Sequence, residues 1–192
     1  MARFSTVDPN SSDELKAVAA HVLPTRKRNI VLGRIPLMFG MLFHRPQVAQ
    51  AFSTLGNELR HRGILSDRVR DLTILQVARL NRCAYLWHVH LDHALSSGLD
   101  RDGLYQLDAP PQQHFDARDR AALAYARAMT VDIAVPDDVH AEAARHFSEA
   151  ELIELAAVIG FYNMNTRMLV AFGIHNEEGR PTVALPFKAD IG

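Results

Sequence analysis

Residues 66–98 read SDRVRDLTILQVARLNRCAYLWHVHLDHALSSG, and this stretch decides the fold. Ser66 is a good N-cap residue type for a helix over 67–80. The apolar Val69, Leu72, Ile74, Leu75, Val77, Ala78 and Leu80 surround much of that helix's circumference, so it is buried on more than one side. Asn81-Arg82 reads as a short break. A second helix follows from Cys83 to about Ser97, with Gly98 as its stop. Two successive apolar helices with no period-two alternation point to an all-α protein.

The rest of the chain extends the pattern. Ser11 with Glu14 fits a capping box ahead of 15–22, and Pro24 closes that segment. Thr25 to Asn29 is a small basic cluster, readable as a solvated linker or as a phosphate or partner site. Pro36 opens an apolar segment over 35–43, and Pro46 suits the first position of a helix reaching His61, with Gly63 at a C′-like stop. The stretch 100–113, containing Pro110-Pro111, divides between a short helix and a loop. Asp116 caps a helix to about Thr130, and Pro136 opens another to about Phe147. Ser148 with Glu151 forms a second capping box, starting a long helix that ends near Gly173. The residues after it, with Gly179, Pro181 and Pro186, are expected to be extended. The organisation expected is an N-terminal helical arm (1–34), a helical domain (35–173) and a C-terminal tail (174–192).

Composition narrows the class. The chain has 192 residues, 48% hydrophobic and 22% charged, with 21 Lys+Arg against 22 Asp+Glu. That length suits one domain burying roughly two-thirds of its unfolded surface. Near-neutral charge argues against nucleic-acid or polybasic membrane partners. No run approaches the ~20 apolar residues of a membrane span, and the first ten residues lack a signal-peptide core. The single cysteine, Cys83, excludes an internal disulfide and suits a reducing compartment. A cytoplasmic protein acting on a small molecule is expected.

The reactive groups gather on the second helix. On a 3.6-residue period Cys83, Trp87, His90, Leu91 and Ala94 form one stripe, which puts a thiol and an imidazole on the same buried face about two turns apart. Cys83 falls in the first turn, where unpaired N–H groups and the helix dipole favour a thiolate over an ordinary thiol of pKa about 8.5. The bland alternative is a small core cysteine and a satisfied buried histidine.

His88-Val89-His90-Leu91-Asp92-His93 also matches H-x-H-x-D-H, a binuclear-metal pattern. That pattern works on a loop after a strand, whereas on a helix His88 and His90 point roughly 200° apart. His90 and His93 could share a zinc, but no third ligand presents itself at helical spacing. No metal or other cofactor is expected.

The run 70–81 (RDLTILQVARLN), then Cys83, Tyr85, Trp87 and His90, then Ala94 with Gly98-Leu99, resembles the carboxymuconolactone decarboxylase family and the related alkyl hydroperoxidase D-like (AhpD-like) proteins. Flanking segments agree: Gly33-Arg34-Ile35-Pro36 and His44-Arg45-Pro46 upstream, Phe147-Ser148 with Glu151 to Leu155 and Gly160 with Tyr162-Asn163-Met164 downstream. The resemblance implies an all-α AhpD-like helical bundle. It also implies a relay of an acidic residue, a thiol and a histidine, which falls on Asp71, Cys83 and His90. Asp71 is one methylene shorter than the family's usual Glu. The position of the second redox cysteine holds Leu86, so a sulfenate at Cys83 has no internal thiol to close on and needs an external one.

Decarboxylase members need no thiol cycle: a cationic or hydrogen-bond-donating group stabilises the dienolate left by CO2, and a proton is returned. His90 is the donor and acid in that reading and Cys83 a second polar group, with Trp87, Tyr85 and Leu86 in the substrate wall and Arg34, Tyr162 and Asn163 as further polar candidates. Three classes thus stay open: an acid–base lyase or isomerase on a small organic acid, a one-cysteine peroxidase-like oxidoreductase, and a non-catalytic scaffold. The resemblance further implies a homo-oligomer, a trimer or a hexamer. The apolar breadth of 67–80 and 149–173 is consistent with this, and the tail is a candidate arm across a neighbour.

Overall fold

In the computed structural model, residues 2–25, 33–107 and 113–189 are described. The helices run α1 (Asp13–Val22), α2 (Leu37–Leu42), α3 (Pro46–His61), α4 (Asp67–Leu80), α5 (Ala84–Ser96), α6 (Arg101–Tyr105), α7 (Ala117–Arg127), α8 (Asp137–Ala143) and α9 (Glu149–Phe172). Among the described residues there is no β-sheet, and the fold is an all-α helical bundle, as expected. The end of the basic cluster (26–29) and Pro110-Pro111 lie outside the described residues.

Helix boundaries follow the local chemistry. Ser66 accepts from the Val69 amide, Asp100 from Gly103 and Asp116 from Asp119. Ser148 and Glu151 form a complete capping box, a device worth about 1 kcal/mol at a helix start. Gly173 ends α9 at φ 71°, a left-handed conformation that costs glycine nothing.

Three expectations need correction and one a different physical reason. The first cap is Ser12, because Ser11 is drawn back into a turn by the Asp8 carbonyl. Gly63 stands at C′ of α3, directly after the cap Arg62, as expected, but its backbone is not left-handed. It is small because the Glu154 carboxylate lies where a β-carbon would stand while accepting from the Ile64 and Leu65 amides. The helix after Asp116 leaves α geometry at Ala128 and continues as a π turn through Asp132. The helix after Pro136 ends at Ala143, short of Phe147.

Helix α4 is the axle of the bundle: α5, α7 and α9 pack around it, and α1 packs separately on α3. Leu72, Ile74, Leu75, Val77 and Ala78 are fully buried inside one chain. The apolar circumference of α4 is therefore satisfied by the chain's own helices, and it is no sign of a partner subunit. The tail is extended, as expected, and lies on its own chain's α5 and α6: Tyr105 donates to the Ala184 carbonyl, and Phe187 meets Trp87 edge-on.

Candidate functional site

The α4–α5 junction places the reactive helix. Asn81 caps α4, and its carboxamide donates to Asn163 Oδ1 and Thr166 Oγ1 on α9, both at 2.9 Å. Arg82 then turns left-handed at φ 53°, and Cys83 becomes the N-cap of α5, its amide held by the Ala78 carbonyl. Asn163, a sequence candidate for ligand contact, instead bonds Asn81 and the π-turn residue Thr130. Arg34, another candidate, pairs with Glu178 on the surface.

A cavity of about 40 Å³ lies against α5. The helix itself contributes Tyr85, Leu86, Val89 and His90. Helix α3 adds Phe52, Gly56 and Arg60, and α9 adds Phe161, Tyr162 and Asn165. Pro36, Met38 and Phe39 at the start of α2 complete the wall. At about 100° per residue, the α5 contributors cover roughly 140° of the helix. Cys83 and Trp87 fall beyond His90 on the adjoining flank. The predicted stripe thus marks an edge of the site, with His90 on the border.

His90 is 3% exposed, and the Tyr162 ring stands edge-on to it at 5.3 Å. His93 lies on its other side at 5.8 Å, while His88 faces the tail, its Nδ1 3.4 Å from the Val183 amide. Among the described residues, no three His, Cys, Asp or Glu side chains converge as metal ligands. The buried carboxamide oxygen of Asn165 has no hydrogen-bond partner among the described residues. An unmatched acceptor of this kind beside a cavity costs about 1–3 kcal/mol unless a donor meets it.

Cys83 departs from the expectation. Only 1% of it is exposed, and burial pushes its thiol up to about 11, although the amides of Leu86 and Tyr85 act in the opposite direction. Loss of water thus outweighs the helix terminus. Trp87 is fully buried between Tyr105 and Phe187, at 5.8 and 5.7 Å. Asp71 is buried on α4, and its carboxyl is raised by desolvation against the pull of Arg70 and, more weakly, Arg60. It lines no part of the cavity.

Two charged groups escaped the sequence reading. Arg60 follows Phe52 and Gly56 at spacings of four along α3, a stripe whose small middle residue was a usable signal. Glu177 gave no signal, since it stands in a polar tail. It is nevertheless 7% exposed and accepts from the Tyr85 hydroxyl at 2.6 Å. Burial raises its carboxyl against the Tyr85 and Leu37 hydrogen bonds and the Arg180 charge. Tyr85 is raised well above the usual phenol by burial and by Glu177.

Comparison with known proteins places this geometry. Residues 46–128 match the family model of the carboxymuconolactone decarboxylase family, a span that holds Arg60, Asp71, Cys83 and His90. The uncharacterized protein YdfG of Bacillus subtilis (strain 168) is 26% identical over 107 residues, covering 54% of this chain and 73% of YdfG. The alkylhydroperoxidase AhpD core of an uncharacterized peroxidase-related protein from Ralstonia eutropha JMP134 superposes with a TM-score of 0.75 at 19% identity, over 95% of this chain and 98% of that one. A cysteine-to-alanine variant of the debrominase Bmp8, in complex with 2,3,4-tribromopyrrole, has a TM-score of 0.75 at 20% identity, over 94% of this chain and 96% of its own. At these identities the structural likeness shows the fold.

Proposed function

Starting from residues 46–128, which belong to the carboxymuconolactone decarboxylase family, we propose that this chain is an enzyme performing acid–base lyase or isomerase chemistry on a small organic acid. The observation that carries this reading is that His90 and Arg60 line one cavity, with Cys83 outside its lining. Arg60 offers a guanidinium to the substrate carboxylate. His90 donates to the enolate oxygen that forms as a C–C bond breaks or a C–H proton leaves. In a decarboxylation the bond's electron pair moves into the enolate, CO2 departs, and His90 returns a proton to carbon before solvent reprotonates it. The Asn165 oxygen supplies an acceptor for a substrate hydroxyl.

The test is CO2 release or isomerisation across a panel of small lactone and keto acids, on wild type, His90→Ala and Cys83→Ser. The reading requires the Cys83→Ser protein to keep most of its activity and His90→Ala to lose it. The reverse pattern would sink it.

A second reading has its own support. The amides of Tyr85 and Leu86 bear on the Cys83 sulfur, a cradle for negative charge at the start of α5. Relatives named as peroxidase-related and AhpD-like agree with thiol chemistry. There the thiolate attacks a hydroperoxide oxygen, the O–O bond breaks to release alcohol, and the sulfenate is reduced by two equivalents of an external thiol. Rapid trapping of a sulfenate at Cys83 under low peroxide, slowed in His90→Ala, would favour this chemistry over the lyase.

A further inference from the structure

A cavity of about 40 Å³ is small for an organic acid, so how its wall is held decides what it can admit. The wall on the α2 side is the short segment Pro36, Met38 and Phe39, and its flanking residue Leu37 is tied to something outside the bundle. Both carboxylate oxygens of Glu177 accept from the Leu37 amide, at 3.0 and 3.2 Å. Oxygen Oε1 also accepts from the Tyr85 hydroxyl. One buried carboxylate from the C-terminal tail thus joins the first turn of α2 to the α5 side of the same cavity.

We infer that Glu177 is a positioning residue for the candidate site, clasping the α2 rim to Tyr85 and controlling how the cavity opens. Beyond Glu177 the tail continues over α5 through Val183 at His88 and Phe187 at Trp87, so the clasp is anchored on both sides of the reactive helix. The ionised carboxylate holds the Tyr85 proton in a fixed direction, and its charge opposes ionisation of the phenol. Removing the charge alone therefore has a signature at Tyr85 that loss of packing would not produce. The inference rests on the reading of the His90 cavity as the reaction site, but its test does not.

The chain carries its own reporters: its single cysteine caps α5 and its single tryptophan lies within it. Labelling of Cys83 by a small aromatic disulfide and Trp87 emission should be followed in wild type, Glu177→Ala, Glu177→Gln and Tyr85→Phe. The expected result is labelling about tenfold faster and red-shifted emission in Glu177→Ala, with Glu177→Gln between it and wild type. In Glu177→Gln, ultraviolet titration should find one phenol ionising at lower pH than in wild type, a change missing when Tyr85→Phe is added. Labelling, emission and titration unchanged in the folded Glu177→Gln protein would overturn the clasp, even if Glu177→Ala fails to fold. A clasp that opens in an enzyme whose His90→Ala variant stays active would leave this inference standing and remove the proposed function. An inactive His90→Ala protein with unchanged reporters in the Glu177 variants would do the opposite.

Discussion

The two flanks of α5 carry similar chemistry in opposite circumstances. On one, Tyr105 and Phe187 cover Trp87, and Cys83 is buried as well, which pushes its thiol up to about 11. On the other, Tyr85 and His90 meet a cavity that also holds Arg60 and the unmatched Asn165 oxygen. Tyr85 and His90 are nonetheless as buried as residues of the core. The flanks differ in whether a polar group has space and partners beside it, which separates a packing surface from one able to meet a ligand. A helix start is not enough to activate a thiol when desolvation opposes it.

The largest effect expected from this contrast is on the sealed flank. Trp87→Ala removes a fully buried indole and should cost about 3–5 kcal/mol in denaturant unfolding. A loss below about 1 kcal/mol would show that the flank is loosely packed and the contrast false. On the cavity flank, His90→Ala should lower turnover of any substrate found by about 100-fold or more, the usual scale for a lost acid–base group. Cys83→Ser should stay within about threefold of wild type. Equal losses in the two variants would merge the flanks into one site.

The thiol sharpens the comparison through pH. In the folded chain Cys83 keeps its proton to about 11, against an ordinary value of 9.0 in the unfolded chain. Its contribution to stability is complete below the unfolded value and is lost as pH rises through the folded one. Wild type should therefore lose about 2 kcal/mol more than Cys83→Ala between pH 8 and 11, read as the difference between two denaturation series. Parallel curves would place the thiol in a wetter setting. A smaller loss than at His90 is expected at Arg60: Arg60→Gln should raise KM for an acidic substrate about tenfold with little change in kcat. A fall in kcat alone would give Arg60 a different role.

Much of the fold was legible because its signals are local. Ser66, Asp116 and the Ser148–Glu151 pair announce helix starts through bonds reaching three residues along the chain, and Gly173 announces a stop. The Ser11 and Ser12 exchange shows the limit of that reasoning, since neighbouring hydroxyls differ only in which carbonyl or amide each one reaches. The π turn at Ala128 had no such marker. Its Thr130 is bonded by Asn163, a contact made across the bundle.

The site was half legible. His90 from the α5 stripe lines the cavity together with Tyr85, Leu86 and Tyr162, which only the family resemblance had named. Cys83, Trp87 and Asp71 are buried elsewhere, so their assignment to substrate or relay depends on the experiments above and not on shared geometry. Periodicity identifies a buried face but not what lies against it. Helix α5 is buried nearly all round, so its spacing could not distinguish the flank meeting Phe187 from the one meeting Arg60.

By itself, the sequence determined the all-α class, most helix boundaries, the break at Asn81-Arg82 and the placing of a thiol and an imidazole on one helix. These follow from backbone bonding and side-chain spacing over a few residues. Tertiary structure alone decided that the thiol is deionised, that Arg60 shares the cavity of His90, and that Glu177 reaches Tyr85 across 92 positions. Desolvation and long-range hydrogen bonds depend on which distant segments displace water from a site, and helical spacing along one element carries no record of them.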